Sequence, residues 1–187
     1  DVSAIPKFMP TAMHAMGVED LDGDGDLDLI CGGWPVAGGA YRSTIYRNDG
    51  GFKFTDVSPT AWVKMKATVS GVALGDVNGD GRVDFALTAV DGPMQDDGGA
   101  KLAVALYIND GGMKFRDVTR THLPAVRAVV QGMGRSAAFS DIDNDGDLDL
   151  FIAGMTVKAV DGKTEVGTSA LFVNDGSGKF TDATEAA

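Results

Sequence analysis

Asp20-Leu21-Asp22-Gly23-Asp24-Gly25-Asp26-Leu27-Asp28, Asp76-Val77-Asn78-Gly79-Asp80-Gly81-Arg82-Val83-Asp84 and Asp141-Ile142-Asp143-Asn144-Asp145-Gly146-Asp147-Leu148-Asp149 are three copies of one pattern, D-x-[DN]-x-D-G-x-x-D. Oxygen-bearing side chains at positions 1, 3 and 5 can converge on one side of a tight turn. Glycine at position 6 permits the backbone conformation that other residues resist. A hard cation with a flexible shell of six to eight oxygens suits such a loop, whereas zinc prefers nitrogen or sulfur and magnesium a strict octahedron that keeps its waters. The pattern therefore predicts three calcium sites. The side-chain ligands would be Asp20, Asp22, Asp24 and Asp28, then Asp76, Asn78, Asp80 and Asp84, then Asp141, Asp143, Asp145 and Asp149, with backbone carbonyls from Asp26, Arg82 and Asp147. The second loop, with Asn78 in place of a carboxylate and Arg82 nearby, is expected to be the weakest.

An EF-hand or dockerin loop opens in the same way but places another acidic ligand at position 12 and continues into a helix. Position 12 here is Cys31, Leu87 or Ile152, none of which offers a hard oxygen. The loop must close at position 9. Each loop leads into a short apolar run, Leu29-Ile30-Cys31, Phe85-Ala86-Leu87 or Leu150-Phe151-Ile152, which suits a buried strand.

A second landmark recurs in the same phase: Ile45-Tyr46-Arg47-Asn48-Asp49-Gly50, Leu106-Tyr107-Ile108-Asn109-Asp110-Gly111 and Leu171-Phe172-Val173-Asn174-Asp175-Gly176. Asn-Asp-Gly after an apolar run signals a hairpin. The returning strands would be Phe54-Thr55-Asp56, Phe115-Arg116-Asp117 and Phe180-Thr181-Asp182. The chain thus divides into a single repeat domain over residues 1–187 with modules 1–55, 56–116 and 117–187, each of four antiparallel strands. Such a unit is a propeller blade, and the fold class is all-β. The connections between the second and third strands, from Gly33 to Gly39, from Asp91 to Gly99 and around Val160-Asp161-Gly162-Lys163, vary most and read as exposed loops.

On these motifs the chain resembles the FG-GAP and VCBS repeat families, the calcium-loop blades of integrin α-subunit heads and of many secreted bacterial proteins. The resemblance covers nearly the whole sequence. It implies a β-propeller with calcium at the blade edge and an extracellular or cell-surface setting. Propellers close with about four to eight blades, so three modules do not make a ring alone. Asp1-Val2-Ser3 repeats the phase of Asp56-Val57-Ser58, and Asp182-Ala183-Thr184 repeats it again, which predicts ends in register. Three readings are open: a stretch of a longer tandem protein, a protomer that completes a propeller with other copies, or a head-to-tail filament subunit. Unpaired sheet edges invite such association, and heterologous contacts give rings or fibres.

The net charge is −11, and the eleven carboxylates among the proposed ligand side chains match it. Bound cations, rather than a basic partner, would answer that charge, and no basic patch points to nucleic acid. Cys31 is the single cysteine, placed in an apolar run as a small buried hydrophobe. No run of about 18 apolar residues predicts a membrane span, and the absence of a signal peptide suggests a mature form. His14 and His122 share no motif, and no nucleophile elbow, phosphate loop or zinc pattern accompanies them, so no enzyme is expected. The leading expectation is a non-enzymatic calcium-binding scaffold that associates with itself through blade edges, including as a filament. The alternatives are a module that binds glycans or extracellular proteins, with Trp34, Trp62, Tyr41 and Met94 as a sugar-stacking surface, and an accessory domain of a secreted polysaccharide-active enzyme.

Overall fold

A computed structural model describes residues 13–33, 43–61, 68–89, 104–123, 133–155, 157–160, 163–166 and 169–186. The variable segments that hold Trp34, Tyr41, Trp62 and Met94 lie outside the described residues. Twelve of the strands form three sheets of four, each antiparallel and in chain order across the sheet. The first blade is β1 (Met13–Glu19), β2 (Asp28–Gly33), β3 (Thr44–Asn48) and β4 (Phe54–Asp56). The second is β5 (Val69–Gly75), β6 (Asp84–Ala89), β7 (Val104–Asn109) and β8 (Phe115–Asp117). In the third, β9 (Met133–Ser140), β10 (Asp149–Met155), β13 (Ala170–Asn174) and β14 (Phe180–Asp182) pair in that order. These are the blades expected from the sequence, with the acidic loop joining first to second strand and Asn-Asp-Gly joining third to fourth.

Registers repeat as closely as the motifs do. Glu19 opposes Asp28, Gly75 opposes Asp84 and Ser140 opposes Asp149, so each acidic loop is the tip of a hairpin. Each first strand is also bulged near its start, between Met13 and Ala15, between Val69 and Gly71, and opposite Ala153 and Gly154. A bulge bends and twists the strand, which helps each blade turn relative to the next.

Neighbouring blades meet through their first strands, β5 packing against both β1 and β9. The approach is close: a Cβ on Gly17 would lie 2.7 Å from Val72 and 2.8 Å from Leu74. Glycine permits this approach, since an added Cβ would require Val72 and Leu74 to shift. Sandwiched between two others, the middle blade has β6 and β7 buried at every position, which explains their continuous apolar runs. In the third blade β13 alternates buried and half-buried residues, the signature of a sheet covered on one face. Within the middle blade Phe85 stacks on Tyr107 at 4.9 Å and meets Phe115 edge-on at 5.0 Å.

Two features depart from the four-strand reading. The segment around Val160 to Lys163, expected as an exposed loop, carries a separate hairpin, β11 (Val157–Val160) paired with β12 (Lys163–Val166). Its flanking residues bracket Asp161-Gly162, a dipeptide favoured in two-residue hairpins. One-turn helices α1 (Ser58–Ala61) and α2 (Thr119–His122) come after the fourth strands of the first two blades. They arise from the Asp-Val-[Ser/Thr] step. Asp56 and Asp117 accept the amides of Ser58 and Thr119, whose hydroxyls in turn accept the amides of Ile45 and Leu106 at 2.9 Å. Thr184 does the same for Leu171 in the third blade. Among the described residues no helix is long and apolar enough to cross a membrane.

Candidate metal centres

Each loop is organised from its first residue. Asp20 accepts the amides of Gly23, Asp24 and Gly25, Asp76 those of Asp80 and Gly81, and Asp141 those of Asp145 and Gly146. The carboxylate at position 5 accepts the amide at position 7 in all three, Asp24 from Asp26, Asp80 from Arg82 and Asp145 from Asp147. Gly25, Gly81 and Gly146 have φ of 93°, 81° and 97°, the left-handed region that the pattern anticipated at position 6. Position 4 is left-handed as well, with Asn144 at φ 64° standing where the other loops have glycine. Asparagine tolerates that region better than most residues.

The ninth residue is buried. Asp28, Asp84 and Asp149 are each 0% exposed, and each bridges two segments. One carboxylate oxygen accepts the amide of Leu21, Val77 or Ile142 at 2.8–3.0 Å. The other accepts the amide of Asn48, Asn109 or Asn174 at 2.8–2.9 Å. Burial raises the Asp28 carboxyl above its ordinary value and pushes Asp84 up to about 6 against the hydrogen bonds that oppose the shift. Burial also raises Asp22, followed by the neighbouring charge of Asp24, and the same two causes raise Asp143 with Asp145 as its neighbour.

The loops differ in what they bring together. Oxygens of Asp20, Asp22 and Asp28 lie within 4.8 Å of one another, as do those of Asp141, Asp143 and Asp149. In the first loop Asp22 Oδ1 is buried and makes no hydrogen bond. A converging set of hard oxygens with one left unsatisfied fits a cation of calcium's kind. The second loop, with Asn78 at position 3, keeps Asp76, Asp80 and Asp84. Its Asp80 carboxylate is engaged by Arg82 Nη2 and by Asn78 Nδ2 at 3.0 Å, while Arg82 Nε donates to the Asn109 carbonyl at 2.8 Å. A tethered guanidinium thus supplies positive charge at position 7, where the other loops have Asp26 and Asp147. The acidic side chains of Asp26 and Asp147 lie over the hairpin turns, with a Cβ on Gly50 or Gly176 at 3.3 Å and 2.6 Å from them.

The asparagine of each hairpin was legible in the sequence as a turn residue only. It also ties the blade together, and in the second and third blades it ties that blade to the one before. Asn109 Nδ2 donates to the Val83 carbonyl at 3.0 Å and, across the blade boundary, to the Leu21 carbonyl at 2.8 Å. Asn174 Nδ2 donates to Leu148 at 3.1 Å and across the next boundary to Val77 at 2.7 Å. The strict phase of this asparagine with the acidic loop was the available signal. Of the two histidines, His14 is exposed on β1, and His122 bonds the Thr121 hydroxyl at 2.8 Å, with burial and then Lys179 and Arg116 lowering its pKa. Cys31 is buried, its thiol pushed up to about 11 by that burial.

A structure concerned with specific recognition of non-reducing terminal N-acetylglucosamine by an Agrocybe aegerita lectin aligns at 19% identity with a TM-score of 0.45. The alignment covers 90% of this chain and 37% of the lectin chain, so the present sequence spans little more than a third of that protein. Comparison with curated proteins gives no match. A family model described as FG-GAP-like repeat matches residues 20–87 and 91–152, which between them include all three acidic loops and most of the middle blade. The chain belongs to the FG-GAP-like repeat family.

Proposed function

We propose that this protein is a non-enzymatic, calcium-binding structural module that works outside the cell and associates with copies of itself through the ends of its blade array, including as a filament subunit. The observation that carries this reading is the convergence of three carboxylates in the first and third loops, with Asp22 Oδ1 buried and unsatisfied in one of them. Calcium would be held by Asp20, Asp22, Asp24, Asp28 and the Asp26 carbonyl, and by Asp141, Asp143, Asp145, Asp149 and the Asp147 carbonyl. The corresponding set in the second loop, Asp76, Asn78, Asp80, Asp84 and the Arg82 carbonyl, would bind more weakly because Arg82 already neutralises Asp80.

Calcium would supply the positive charge that the converging carboxylates lack; a like-charge pair at 4 Å costs about 4 kcal/mol at an effective dielectric of 20. The protein's own part is to hold those carboxylates in place. Position 1 gathers the loop amides, and position 9 locks the loop to the third strand. Weak affinity suffices where calcium is plentiful, as it is outside cells. The carboxylates are thereby committed to loop structure and metal, which supports a structural rather than a catalytic role.

Light scattering with negative-stain microscopy, in calcium and then in EGTA, tests the reading. Assemblies larger than the 19.4 kDa chain that dissociate on chelation are expected. A chain that stays monomeric in saturating calcium at high concentration contradicts the assembly role, and assemblies indifferent to EGTA contradict the part given to calcium.

A further inference from the structure

The large apolar side chains left exposed among the described residues are Met16, Val18, Leu27, Phe52, Ile142 and Phe151. Aligned on the repeat, each has a counterpart that is covered by an adjacent blade. Ile142 is 45% exposed, while Leu21 and Val77, at the same loop position, are 2% exposed. Phe151 is likewise exposed where Ile30 and Ala86 are buried. Both belong to the outer face of the third blade, the side on which a following blade would sit.

The other four belong to the opposite end. Met16 and Val18 hold the positions of Val72 and Leu74, the side chains that press on Gly17 of the preceding blade. Leu27 holds the position of Leu148, which meets Gly75 of the preceding blade. Phe52, 71% exposed, holds the position of buried Met113 and of Gly178, whose Cβ would touch Val77 and Ile108 of the preceding blade. The six therefore fall on two faces, the side of the first blade turned away from the second and the side of the third blade turned away from the second.

The polar pattern agrees. Asn109 and Asn174 each donate once within their blade and once to the loop carbonyl of the blade before. Asn48 makes the bond within its blade, to the Leu27 carbonyl at 3.1 Å, and among the described residues has no counterpart of the second. At the far end the Ile142 carbonyl stands where Leu21 and Val77 accept that second bond.

We propose that the two end faces dock on each other between copies of this chain, head to tail, by the contacts that already join its blades, with Asn48 of one copy donating to the Ile142 carbonyl of another. This rests on the self-association put forward above and specifies its surfaces. The occupant is a second copy because each face matches the opposite end and not itself: Asn48 with Met16, Val18, Leu27 and Phe52 is at one end, and the Ile142 carbonyl with the Ile142 and Phe151 side chains is at the other, as on the two sides of each blade boundary within the chain. Such a contact is heterologous and gives a ring where the rotation closes and a fibre where it does not.

Two variants separate the ends. Met16→Glu with Phe52→Asp blocks the first face, and Ala138→Glu with Phe151→Glu blocks the other, where Ala138 and Phe151 oppose each other across β9 and β10. All four sites avoid the proposed metal ligands, and matched thermal melts of the two variants and the parent establish that each is folded. In calcium, each variant alone is expected to be monomeric by light scattering, and an equimolar mixture is expected to give a dimer that grows no further, since one intact face remains on each partner. Asn48→Ala in the second variant should weaken that dimer by about tenfold. If the parent chain assembles but the mixture stays monomeric, or if either variant alone still dimerises, this docking is wrong while self-association stands. If the parent chain itself is monomeric, both fail, as they would if these faces are covered by further blades of a longer polypeptide.

Discussion

Asp28, Asp84 and Asp149 show one residue serving two ends: each closes its loop as a proposed ligand and braces loop to sheet through two backbone amides. Burial raises the pKa of the Asp28 and Asp84 carboxyls, and the pH response expected from them changes sign with calcium. Asp84 titrates near 6 in the folded chain against an ordinary 3.8, so between those values the folded state binds the extra proton. Without calcium, stability therefore rises as pH falls from about 6 towards 4, with Asp28, Asp22, Asp143 and Asp147 shifted the same way. Asp49 and Asp175, whose pKa values are lowered by hydrogen bonds, oppose the trend at exposed turns. In saturating calcium protons compete with the metal, and stability should fall over the same interval. Melting temperatures across pH 4 to 7, in EGTA and in calcium, check the inversion; parallel curves would refute it. At this scale the sequence was explicit about oxygen spacing and the position-6 glycines. It marked Arg82 as a nearby charge that weakens the second loop but not its partners, Asp80 and the Asn109 carbonyl, the latter depending on where a neighbouring hairpin lies.

Among the elements, the hairpin asparagines matter more than their turn chemistry suggested. Asn109 is fully buried, accepts the Gly111 amide and donates to carbonyls in two blades, so Asn109→Ala strands several polar groups at once. Its expected cost is about 2–4 kcal/mol, against about 1 kcal/mol for Asn48→Ala, which loses only contacts within its own blade. Denaturant unfolding at concentrations where the chain is monomeric measures both, and equal losses would mean that the bond across the blade boundary carries no weight. The blades themselves were readable because an acidic loop, an apolar run and Asn-Asp-Gly recur in fixed phase. The β11–β12 hairpin was not, because among the described residues it appears in one module, and repetition is what made the other strands readable. The helices α1 and α2 escaped for another reason. Four residues are too few to show helical periodicity, and what sets them is the hydroxyl of Ser58 or Thr119 reaching back to the third strand.

For the molecule as a whole, three blades stack through β1, β5 and β9, and in the proposed assembly a net charge of −11, much of it in the acidic loops, would oppose the docking of the two end faces. Cation binding would relieve that repulsion and make folding and assembly depend on the same ions. The sequence indicated three modules with ends in register, but the side chains of the proposed docking faces became visible only from which of them stay uncovered. The most direct test of the calcium loops is thermal unfolding monitored by circular dichroism in saturating calcium and again in excess EGTA. At a hundredfold excess over its dissociation constant each site contributes about 2.7 kcal/mol, and a chain of this size shifts by about 2–4 °C per kcal/mol. Two well-formed sites should therefore raise the melting temperature by about 10–20 °C, whereas superimposable melts would contradict the claim that these loops are calcium sites.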